Sequence, residues 1–178
     1  MTILFDDYPD FKPDLTPQDM FKAGILGGSY FRRITSPNTG KTYKQSDKNR
    51  FCFLKNIDDD KLITQVYDKN KNYFKVKAGS SYDMWIEKKW INESDAPRGW
   101  IHWYCFFYAG RRGSDDERQI KRWKLFASKE SGRFRIRFQN IINRLGYNDK
   151  SVHPVIQQNL LEWGVDSKKM IPMNANQL

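Results

Sequence analysis

Three groups of side chains in this sequence have the types and the spacing to do chemistry. Asp115, Asp116 and Glu117 stand in a row, offering carboxylate oxygens of the kind that hold a divalent metal in a nuclease. The same acids follow Ser114, so the run also reads as a capping box, with negative charge at the positive end of a helix dipole. Cys52, His102, Cys105 and His153 are the chain's full set of Cys and His. They have the composition of a Cys2His2 zinc site, and His102 and Cys105 would share a helix face at i, i+3. Their spacing fits no zinc motif, and buried Cys with a core or capping His accounts for them without a metal. Gly27-Gly28 lacks the spacing of a dinucleotide fingerprint or a P-loop. No cofactor is expected, and no nucleophile has a base beside it in sequence.

The third group is basic. Gly110-Arg111-Arg112-Gly113 is a short turn between two helical patterns, and Arg118, Lys121 and Arg122 continue its charge along the second. Free N–H groups, a helix dipole and clustered guanidinium groups suit a phosphate. The alternative is that Arg111 and Arg112 pair with Asp115, Asp116 and Glu117 and only fix the turn. Further on, Arg133, Arg137, Asn140 and Arg144 recur at i, i+4, i+7 and i+11. On a helix they form one polar ridge, about 16 Å long at the standard rise. Such a ridge could track a nucleic-acid backbone, or be an ordinary solvated face.

The charge of the whole chain points the same way. Of a net +10, +8 lies between Pro97 and Leu145, where twelve Lys or Arg face four Asp or Glu. Localised charge is the footprint of a polyanion partner. Aromatic residues make up 15% of the 178 residues, six of them Trp, and such rings serve both core packing and base stacking. Two cysteines do not make a disulfide framework. The start, MTILFDDYPDF, carries acids and no apolar run of signal-peptide length, and no stretch approaches the ~20 apolar residues of a membrane span. These features predict a soluble protein of a reducing, cytosol-like compartment, not secreted and not inserted in a membrane.

The elements that must position these residues follow from capping and periodicity. The chain reads as a single domain with a mixed first part (1–79), a helical basic region (80–164) and a loose tail (165–178). Thr16 caps a short helix opened by Pro17 and ended by Gly24. A strand is expected over Ser29–Ile34, followed by a turn at Ser36–Gly40. Short strands are expected at Phe51–Leu54, Leu62–Tyr67 and Tyr73–Val76, the last two joined by a hairpin turn over Asp68–Asn72. Ser80 with Asp83 predicts a helix to Lys89, and Asp95 with Pro97 opens the next. In that helix Trp100, Trp103, Tyr104, Phe107 and Tyr108 form one wide apolar face, which reads as core. Phe106 falls off the stripe as a candidate contact. Gly110 ends this helix. Ser114 to about Ser128, Gly132 to Gly146, and Val152 or Pro154 to Trp163 complete the helices. Trp103 and Trp123 are expected to be buried.

The quoted motifs also resemble an uncharacterised family of small proteins from bacteriophages, large DNA viruses and microbial eukaryotes. The similar features are Asp14-Leu15-Thr16-Pro17, Met20-Phe21, Gly28-Ser29-Tyr30-Phe31, Gly99-Trp100, Trp103-Tyr104-Cys105, Gly110-Arg111-Arg112, Asp115 to Trp123, and Leu160 to Gly164. The resemblance spans most of the chain. It implies a viral or phage-like setting inside a host cell and names no catalytic residue.

The expected fold is α+β: a small N-terminal antiparallel hairpin or sheet packed on a C-terminal bundle of four to five helices, with an all-α protein as the alternative. The expected function is nucleic-acid binding, to DNA or RNA, through Arg111, Arg112, Arg118, Lys121, Arg122, Arg133, Arg137 and Arg144. An enzyme acting on nucleic acid with the same basic surface is one alternative. A virion or host-interaction protein that binds an acidic protein surface is the other.

Overall fold

The computed structural model describes residues 3–173. Its architecture is mainly helical with one small antiparallel sheet, an α+β arrangement. Six α-helices run in chain order: α1 (Pro17–Ala23), α2 (Tyr82–Glu87), α3 (Trp100–Tyr108), α4 (Asp116–Ala127), α5 (Arg133–Leu145) and α6 (Pro154–Glu162). The sheet pairs β1 (Ile34–Thr35) with β2 (Thr42–Tyr43). From α3 onward each helix packs on the next.

The local signals explain most helix ends. Thr16 and Asp19 form a full capping box, each side chain bonding the other's backbone N–H, with Pro17 at the first helical position. Ser81, one residue later than expected, caps α2 by accepting from Met84 N. Gly146 ends α5 in the left-handed conformation at φ 77°. Two starts differ from expectation. Residues 92–98 form turns rather than the head of α3, and Gly99 interrupts them at φ 88°, ψ −155°, a conformation closed to other residues. No Ser114 capping box forms: Asp115 occupies the cap position of α4 without a side-chain cap bond.

The strands are the main correction. Phe51–Leu54, Leu62–Tyr67 and Tyr73–Val76 hold no strand, and the Asp68–Asn72 turn is a 3-10 turn rather than a hairpin. The hairpin that does form closes around Ser36–Gly40, with β1 at the end of the expected first strand. Outside that hairpin, buried side chains replace a ladder between Gly24 and Ala78. Asn72 Oδ1 accepts from Gly27 N at 2.8 Å, and its Nδ2 donates to Tyr67 Oη and Val76 O. Gln158 Oε1 accepts from Phe74 N, and its Nε2 donates to Gly24 O. Buried backbone groups need partners, and here α6 supplies some of them.

The core is contiguous, from Phe11 through the α3 face to Val165 and Met170. Trp103 is fully buried and Trp123 nearly so. Trp103 Nε1 donates to Asp116 Oδ1 and Trp123 Nε1 to Trp163 O. After Asp166, Ser167 and Met170 are buried, and Asn148 donates to both their carbonyls, while Lys168, Lys169 and Ile171 are exposed. The rest of the expected tail, 174–178, lies outside the described residues. Among the described residues no helix is long and apolar enough to cross a membrane.

Candidate nucleic-acid interface and aromatic cleft

The Gly-Arg-Arg-Gly turn is held by carboxylates far from it in sequence. Arg111 forks onto Asp95, with Nη2 2.9 Å from Oδ2 and Nη1 2.9 Å from the carbonyl, and stacks 4.0 Å from the Phe106 ring centre. That stacking covers one face of Phe106, the expected contact residue. Arg112 forks onto Asp7, donates to Phe107 O, and lies 3.8 Å from the Phe107 centroid. The Asp7 pair raises the Arg112 guanidinium above its usual range. Both turn arginines are thus neutralised, by partners other than the three neighbouring acids. Arg118 forks onto Asp115 and reaches Trp90 O.

The acidic triplet is structural in its geometry. Asp115 and Asp116 are buried. Asp116 accepts from Trp103 Nε1 and from Gly113 N, both at 2.8 Å, so it ties the turn to the core. Burial works to raise the Asp115 carboxyl, yet bonds from Arg118 and Gln119 hold it below its usual range. Glu117 points to solvent. Among the described residues no three His, Cys, Asp or Glu side chains are placed to hold a metal. Cys52 is exposed, Cys105 is buried, and His153 is exposed at the head of α6. His102 is sealed beside Phe31, Phe51 and Phe106 with both ring nitrogens unpartnered. Burial, reinforced by Arg98, Arg111 and Arg50, pushes its pKa down to about 3.

The free charge lies elsewhere. On α5, Arg133, Arg137, Asn140 and Arg144 are all exposed. None of the three arginines is paired with a carboxylate among the described residues, whereas Arg135 on the inner side meets Asp14 at 3.4 Å. Exposed Lys121 on α4 is also without an ion pair there.

Beside this ridge α4, α5 and α6 meet the 79–101 segment around a cleft of about 150 Å³. Trp85, Trp90, Trp163, Phe126 and Phe134 line it, and all five are only partly buried. Trp163 stacks on Trp100 at 4.9 Å and packs, tilted by 33°, on Phe126 at 4.5 Å. Arg122 enters between two indoles, 5.8 Å from the Trp90 centroid and 5.7 Å from that of Trp163. Its Nη1 bonds two neutral acceptors, Trp90 O and Gln119 Oε1. No carboxylate among the described residues pairs with it, and burial, with Arg118 nearby, lowers its pKa to about 10. Arg133 lies 4.1 Å over Phe126, so one residue belongs to both ridge and cleft.

Two buried polar groups frame the cleft. Arg98 donates to Tyr30 O, Arg32 O, Lys44 O and Asp47, clamping the hairpin region to the head of α3, while its Nε stays unpartnered. Glu162 Oε1 accepts from Leu26 N and Gln158 Nε2, and Oε2 accepts from none of the described residues. Burial raises this carboxyl to about 7, against the opposing pull of those two bonds. Leu26 itself sits at φ 51°, a strained conformation for a non-glycine.

Sequence reasoning picked out Arg122 and Arg133 but not Trp85, Trp90, Trp163, Arg98 or Glu162 as parts of one site. The single available signal was their type: aromatic and basic residues in a cationic chain. Comparison with protein-family models, curated proteins and solved structures gives no match.

Proposed function

We propose that this chain binds nucleic acid, with the phosphate backbone running along α5 and the cleft beside it. One observation carries the reading. Arg133, Arg137 and Arg144 are exposed on one ridge with no ion pair among the described residues, while Arg111, Arg112 and Arg118 are each forked onto a carboxylate. Backbone binding needs free cations at phosphate spacing rather than total charge. The site residues that this reading favours are therefore Lys121, Arg122, Arg133, Arg137 and Arg144, carried on a C-terminal helical bundle. Arg111, Arg112 and Arg118 hold its frame. The work is that of an accessory binding protein inside a host cell, in keeping with the resemblance to the viral and phage family. The test is the purified protein itself. It should carry nuclease-sensitive material that raises its ultraviolet absorbance ratio towards that of nucleic acid, and should rebind labelled strands at low salt. Failure to bind any strand at low salt would refute the proposal.

A further inference from the structure

We propose that the aromatic cleft takes one unpaired nucleobase, stacked against its Trp85 and Trp90 wall, with Arg122 and Arg133 holding its phosphate. The base could be delivered by a strand lying on α5, in which case the inference rests on the function proposed above, or by a free nucleotide.

Size, shape and charge each narrow the occupant. A cavity of about 150 Å³ lined by apolar groups accommodates one benzene-sized ring. This cleft therefore has room for a single base and not for a stacked pair. Its walls include the partly exposed rings of Trp85 and Trp90, which have no aromatic partner among the described residues, and any base can stack on such a ring. An apolar chain would fill the same walls, but it would leave Arg122 and Arg133 desolvated and unmatched. A methylated ammonium would suit indole faces, yet Arg122 and Arg133, neither paired with a carboxylate among the described residues, line the cleft. A phosphate matches them, since a guanidinium fork binds its oxygens in pairs. Glu162 Oε2, free of bonds to the described residues, is a hydrogen-bond partner for the polar edge of a base, accepting when ionised and donating when protonated. The ligand that satisfies all of these is planar at one end and anionic at the other.

The experiment titrates intrinsic Trp fluorescence with a nucleoside monophosphate, the matching nucleoside, ribose 5-phosphate and inorganic phosphate. It also follows a single strand and its duplex carrying one 2-aminopurine. The monophosphate should quench, and the nucleoside and ribose 5-phosphate should each bind at least about tenfold more weakly, as each lacks one half of the contacts. Arg122→Gln should weaken the monophosphate by about tenfold. Trp90→Leu should weaken it while leaving ribose 5-phosphate unchanged. Arg133→Gln, at an exposed position, serves if either of those variants melts early. The 2-aminopurine signal should change in the single strand and not in the duplex. Salt-dependent strand binding with no monophosphate quench and no 2-aminopurine change would overturn the inference and leave the proposed function standing. Monophosphate binding with no strand binding would uphold the inference for a free nucleotide and overturn the proposed function.

Discussion

Replacing Glu162 by Gln should stabilise the protein at alkaline pH and leave it nearly unchanged at acid pH. The Glu162 carboxyl is buried, and burial raises its pKa from 4.5 to about 7. In the unfolded chain it titrates near its ordinary value. Below pH 4.5 both states hold the proton, and the stability linked to this group is fully present. It is lost as pH rises through 7, because the folded state must then bury a charge. The full shift corresponds to about 3 kcal/mol. Gln can accept from Leu26 N and from Gln158 as Oε1 does now, without ionising. The variant's advantage should therefore grow from below about 1 kcal/mol at pH 5 to about 3 kcal/mol at pH 8. In melting temperature that is about 6–12 °C at pH 8 for a domain of this size. Thermal melts of parent and variant, taken pairwise from pH 5 to pH 8.5, read the difference directly. Parallel curves across that range would refute a buried, proton-holding Glu162.

Other buried groups make further predictions. His102 runs the opposite way: its folded pKa of about 3 lies below the unfolded 6.5, so stability falls as pH drops from 6.5 toward 3. His102→Phe should flatten that acid limb in the same melts, and an unaltered acid limb would count against the assignment. Arg98→Leu should cost about 3–5 kcal/mol in urea unfolding, because it strands Asp47 and three carbonyls. Trp103→Ala should cost about 3–5 kcal/mol and leave Asp116 Oδ1 without its donor. Arg111→Gln breaks a mostly buried pair with Asp95 and should cost about 1.5–3 kcal/mol, with strand affinity retained. A large affinity loss would return the turn to the binding surface.

Helices were legible in the sequence because their signals are local. Thr16-Pro17 with Asp19, the aromatic stripe of α3, and Gly146 after α5 each act within a turn or two. The strands were misread because β-like runs carry no record of where their N–H groups will go. Phe74 N is taken by Gln158, 84 residues away, and Gly27 N by Asn72, 45 residues away. The turn arginines were ambiguous for the same reason. Three acids stood close in sequence, but the partners are Asp95 and Asp7, 16 and 105 residues off. The α5 ridge needed only helical periodicity, and it lies where spacing put it. Arg122 and Arg133 were legible as basic residues but the cleft was not, since they meet Trp85 and Trp163 only through packing.

The α5 ridge is tested most directly by the salt dependence of strand binding. Affinity of a labelled single strand is measured over a salt series for the parent and for Arg133→Gln/Arg137→Gln/Arg144→Gln. Each lost phosphate contact lowers the slope of log affinity against log salt by about 0.7. The triple variant should therefore bind more weakly at every salt concentration, with a slope shallower by about 2. A parent that does not bind, or a variant with the parent's slope, would contradict the assignment of the nucleic-acid backbone to α5.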